Sequence, residues 1–76
     1  MTYKHLYQRI VDEIVTRIES GELPPGTKLP SSRELQEQYG TSHMTVRTAI
    51  TILRDRGLVE SVSGVGVFVA ERPSTT

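Results

Sequence analysis

The 76-residue chain contains no cysteine, so disulfides and thiolate metal sites are excluded and a reducing compartment suits it. No apolar run approaches the roughly 20 residues needed to span a bilayer. The polar start MTYKHLYQR also lacks the apolar core of a signal peptide. These absences give the expectation of a cytoplasmic protein with no membrane partner. Net charge is missing too, because nine basic residues cancel nine acidic ones. Catalytic constellations are likewise absent. His5 and His43 lie 38 residues apart with no matched ligand cluster, and the serines have no nucleophile-elbow setting. Gly64-x-Gly66 has no helix after it to hold a phosphate. No enzyme activity and no cofactor are expected. The length leaves room for one small domain with a limited core, which a second copy would help.

What the chain does have is concentrated between Ser31 and Gly57, SSRELQEQYGTSHMTVRTAITILRDRG, which reads as two helices joined by a tight turn. Ser31-x-x-Glu34 forms a reciprocal cap in which the Ser hydroxyl accepts a backbone N–H and the Glu reaches back. Pro30 precedes it, Leu35 and Tyr39 supply an apolar stripe, and Gly40 takes the left-handed position that ends the helix. Ser42 caps the second helix, in which Val46, Ala49, Ile50 and Leu53 fall on one buried face and which ends at Gly57. On the opposite face stand His43, Thr45, Arg47, Thr48 and Thr51, with no acid before Asp55. A helix N-terminus directs free N–H groups and partial positive charge outward, so the Ser42–Thr45 end suits a phosphate or a base edge. Residues 28–56 hold five basic and three acidic side chains, net +2, whereas each flanking stretch carries net −1. The excess of positive charge therefore sits on the motif.

Ahead of it, residues 3–20 repeat Leu6, Ile10, Ile14 and Ile18 every four positions, with Tyr7, Val11 and Val15 beside them. The other face of this helix is charged and solvated, with Arg9–Glu13 and Glu13–Arg17 spaced for i, i+4 pairing. Ser20-Gly21 ends it. The segment GELPPGTKLP holds three of the four prolines and reads as a stiff connector. In it Pro24-Pro25-Gly26 makes a turn, Leu23 and Leu29 dip into the core, and Lys28 is either a phosphate contact or a plain solvated lysine. Beyond Gly57 the β-branched runs Leu58–Val62 and Val65–Ala70 flank the glycine-bearing turn Ser63-Gly64-Val65-Gly66, predicting a short antiparallel hairpin. The fold class is thus mainly α with a small β-hairpin: three helices plus a two-stranded wing over residues 1–70. Residues 71–76 form a polar tail or the start of a linker.

The pieces PPGTKLPSSRELQEQYG, TSHMTVRTAITILRDRGLVES and SGVGVFVA, in that order, closely resemble the N-terminal winged helix-turn-helix domain of the GntR family of bacterial transcription regulators. The resemblance implies sequence-specific binding to a double-stranded DNA operator, as a repressor on an inverted repeat occupied by a homodimer. Arg33 is similar to a family arginine that reaches a guanine, whose O6 and N7 fit an Arg fork; its plainer role is to pair with Glu37 at i+4. Thr45 and Arg47 match the family's Thr-Val-Arg pattern, with Ser42, His43 and Met44 at neighbouring contact positions. Thr48 serves either DNA or solvent, and Ser32, Lys28 and the wing residues Ser63, Gly64 and Gly66 are placed at the DNA backbone.

Three features depart from the family pattern. Histidine stands at position 43 where arginine is frequent, and its ring N–H can still donate to phosphate. The wing tip has Val65 instead of a basic residue. The family's large C-terminal effector-binding and dimerisation domain is absent from the sequence, which points to an excised domain or a free-standing small regulator; a small-molecule effector is implied only if that domain exists. With zero net charge and an apolar wing, a winged helix used for protein–protein contact is the alternative reading.

Overall fold

Isoleucine and valine recurring every three or four residues drive the first helix, α1 (Leu6–Ser20), onto a core where Ile10, Val11 and Ile14 are buried. The computed structural model describes residues 6–71, so the expected helical start at residues 3–5, His5, and the tail beyond Glu71 lie outside the described residues. The remaining elements are α2 (Ser32–Tyr39), α3 (His43–Asp55) and an antiparallel pair, β1 (Val59–Val62) and β2 (Gly66–Val69). Together they form the winged helix-turn-helix. No helix among the described residues is long and apolar enough to cross a membrane.

The local chemistry of the motif takes the expected form. Ser31 accepts the N–H of Glu34 at 3.1 Å, and the Ser31 N–H donates to the Glu34 carboxylate at 2.8 Å. Gly40 adopts the left-handed conformation at φ +61°, which lets α2 stop and the chain reverse toward Ser42. Val46, Ala49 and Leu53 of α3 are buried against α1, joined by Leu29, Leu35, Val59 and Val69. The third helix closes slightly earlier than its glycine suggests, at Asp55, with Arg56 as its C-cap before Gly57.

The connector contributes more than stiffness. Pro24-Pro25-Gly26 turns the chain, with Thr27 N–H donating to Pro24 O at 3.1 Å and Gly26 at φ +86°. Beyond the turn, Gly26 and Leu29 donate N–H bonds to Val69 O and Val67 O, and Val69 N–H donates to Thr27 O, each at 2.8 Å. Residues 26–29 thus lie along β2 on the edge that β1 leaves open. This fastens the wing to the entry of α2. Sequence periodicity does not reveal it, because a run of four residues between prolines carries no alternation to read.

The solvated face of α1 also holds a contact that i, i+4 spacing does not give. Arg9 pairs with Glu13 at 3.1 Å as expected, but Arg17 meets Glu22 at 3.8 Å instead of Glu13. The second oxygen of Glu13 accepts the Tyr39 hydroxyl at 2.5 Å, tying α1 to the end of α2. That bond, then Arg9, holds the Glu13 carboxyl below the ordinary value of 4.5. Burial, reinforced by the Glu13 bond, pushes the Tyr39 hydroxyl from 10.0 up to about 12.

The sign of each effect on stability follows by linkage. The Glu13 contribution is present above its unfolded value and is lost as pH falls through the lower folded value. The Tyr39 contribution is complete below pH 10.0 and is lost as pH rises toward about 12. Thermal unfolding across pH is therefore expected to show Tyr39→Phe losing more stability at neutral pH than at pH 3. A constant difference between the two proteins from pH 3 to 8 would show that the bond contributes nothing.

Candidate nucleic-acid interface

Two helix N-termini meet on one side of the domain. Ser32 and His43 are the first residues of α2 and α3, and Ser32 Oγ lies 3.5 Å from His43 Nδ1. Gln36 Nε2 donates to Ser32 Oγ at 3.3 Å from the next turn of α2. The N-cap hydroxyls occupy only the third amide of each helix, so the amides of Ser32, Arg33, His43 and Met44 have no intrahelical acceptor. Partial positive charge from both helices converges there.

Arginines frame this point. Arg33 on α2 and Arg47 on α3 are exposed and, among the described residues, neither is in an ion pair. The alternative partner of Arg33, Glu37, is thus not engaged. Met44 and Thr48 are exposed on the open face of α3, and Met44 is 66% accessible. Thr45 is half-buried. Its N–H donates to Ser42 Oγ at 3.4 Å, and its hydroxyl lies 3.3 Å from the same oxygen. The side chains of Ser42 and Thr45 therefore serve the cap first.

The wing residues divide between two faces. Because side chains alternate along a strand, the cross-strand pairs Val59–Val69 and Ser61–Val67 share one face, and Glu60–Phe68 and Val62–Gly66 share the other. Val59 and Val69 are buried, so the first face is the one turned to the helices. Lys28 bridges to Phe68, and its Cε would lie 2.8 Å from a Cβ added at Gly66. Its stem crosses the wing where Gly66, at φ +147°, leaves space that an alanine would fill. Lys28 is consequently on the opposite face of the wing from α3. Ser63 and Gly64 are exposed in the three-residue loop, closed by Val65 N–H donating to Val62 O at 2.9 Å.

Between α3 and the wing runs a cleft of about 250 Å³ that brings Ser32, His43 and Arg47 together with Arg54 and Ser61. Neither Arg54 nor Ser61 is evident from the sequence. Arg54 follows Arg47 by two helical turns on the same stripe, a spacing that was the available signal. Ser61 needs the strand register.

The architecture and this surface define a winged helix-turn-helix domain. Residues 6–69 match the family described as "Bacterial regulatory proteins, gntR family", and the chain belongs to that family. It is 44% identical over 66 residues to the HTH-type transcriptional repressor NagR of Bacillus subtilis (strain 168), covering 87% of this chain and 27% of NagR. It is 42% identical over 71 residues to the mannosyl-D-glycerate transport/metabolism system repressor MngR of Escherichia coli (strain K12), covering 93% of this chain and 30% of MngR. The chain thus spans under a third of the length of these curated relatives. Among solved structures it is similar to AraR(DBD) in complex with operator ORX1, with TM-score 0.82 and 42% identity over 84% of this chain and 77% of that one.

Proposed function

We propose that this domain binds duplex DNA sequence-specifically as the DNA-binding unit of a cytoplasmic transcriptional regulator. One observation carries the reading: two exposed arginines, in no ion pair among the described residues, flank the converging N-termini of α2 and α3, on a surface where α3 exposes no acid before Asp55. The likeness to a domain solved on its operator supports it. In this scheme α3 enters the major groove, and Arg33 and Arg47 read base edges, with Met44, His43 and Thr48 beside them. Ser32, Lys28 and the wing residues Ser63, Gly64 and Gly66 hold the backbone, while Ser42 and Thr45 fix the start of α3. The site is a homodimer's, one copy per half of an inverted repeat, and the regulatory effect is repression.

Selection of bound duplexes from a random-sequence pool at two salt concentrations tests the reading. An enriched inverted repeat is expected, with retention falling steeply as salt rises. A folded protein that enriches nothing at either salt would favour the second reading, a protein-contact module. Exposed apolar side chains, Met44 at 66% on α3 and Val65 at 55% and Val62 at 43% on the wing, are the observation in favour of that alternative. Apolar contact would change little with salt.

A further inference from the structure

We infer that the cleft between α3 and the wing is a seat for one backbone phosphate of the duplex, held by Arg54 with the Ser61 hydroxyl beside it. The inference rests on the duplex-DNA reading and adds a site to it. The lining of the cleft contains Arg47, Arg54, His43 and the hydroxyls of Ser32, Thr51 and Ser61, above an apolar floor that includes Ile50 and Val67; among the described residues no carboxylate lines it.

The strand register explains why acids are missing there. Ser61 and its partner Val67 face α3, so the neighbouring Glu60 is carried to the other face of the wing. Asp55 follows Arg54 directly and is rotated by about 100° around the helix. Arg54 is exposed and in no ion pair among the described residues. A guanidinium so placed presents its fork to an anion that must come from outside the domain.

Position decides which anion. Arg54 stands seven residues, roughly 10 Å, beyond Arg47 along α3, away from the end that meets base edges and across the cleft from the Ser61–Val67 pair of the wing. A group there meets the strand that passes between helix and wing, where only phosphate and sugar are presented. Arg54 therefore positions the protein on DNA and carries no sequence preference.

The test uses the full 76-residue chain and a duplex enriched by selection. Fluorescence anisotropy across salt is expected to show Arg54→Gln binding both the selected and a scrambled duplex several-fold more weakly. Its salt slope should fall by about 1 with sequence preference unchanged. Arg54→Lys should restore the slope, and thermal melting confirms that both variants fold. A scan of single neutral methylphosphonate linkages should find one position per half-site that wild type senses and Arg54→Gln does not.

Equal slopes and equal scans for wild type and Arg54→Gln would overturn the phosphate seat while leaving DNA binding intact. Inorganic phosphate that displaces the duplex better than chloride at matched ionic strength, in wild type but not in Arg54→Gln, would assign the cleft to a free anion and overturn the duplex assignment. Failure of wild type to bind any duplex would overturn the underlying reading and this site with it.

Discussion

Leu53→Ala is expected to bring the domain close to unfolding at 25 °C. Leu53 is fully buried in α3, among the largest side chains with no accessible surface, and it belongs to the cluster that joins α1, α3 and the wing. Removing a buried leucine side chain typically costs about 2–5 kcal/mol, through lost transfer energy and the cavity left behind. A chain of this size has roughly 4–11 kcal/mol of total stability, from about 0.05–0.15 kcal/mol per residue. The substitution thus removes much of the margin, and α3 cannot be presented to a partner without it. Leu53→Met, which nearly conserves volume, should cost less than about 1.5 kcal/mol. Met44→Ala, at an exposed site on the same helix, should stay within about 0.5 kcal/mol. Urea titration of the three variants checks the ranking. A Leu53→Ala midpoint no lower than that of Met44→Ala would mean that α3 does not pack through this face.

Much of this arrangement is legible in the sequence because its determinants are local. The Ser31–Glu34 box, the left-handed Gly40 and the Ser42 cap each depend on residues within four positions of one another, and each forms as its spacing predicts. The Val46, Ala49 and Leu53 face follows from helical period alone. What escapes is set by pairing across the chain. The bond from Tyr39 to Glu13 spans 26 residues. The edge formed by residues 26–29 depends on β2, some forty positions later, and that edge is what turns Lys28 over Gly66. Arg54 belongs to a cleft only once the wing register places Ser61 opposite it. Side-chain type marks Arg33 and Arg47 as candidates, while their freedom from ion pairs among the described residues is a property of the folded surface.

Arg47→Ala is expected to cost about 1–3 kcal/mol on the selected duplex and to relax the preference at the base pairs it reads. Arg47 leaves α3 one turn after its N-terminus, and in the proposed scheme its fork takes guanine O6 and N7 together. An exposed arginine that served only as a solvated charge would instead lower binding to all sequences alike. Lys28→Ala is the internal comparison. Its stem lies over Gly66 on the other face of the wing; in the proposed scheme its ammonium meets only backbone phosphate, so selected and scrambled duplexes should weaken equally and the salt slope should fall by about 1. Arg33 sits on a different helix from Arg47. If each reads its own base pair, Arg33→Ala and Arg47→Ala should add within about 0.5 kcal/mol. Competition titrations with the selected duplex, its single-base variants and a scrambled duplex separate these outcomes. Equal losses on selected and scrambled DNA for Arg47→Ala would move that residue from base edge to backbone and leave Arg33 as the specificity determinant of the pair.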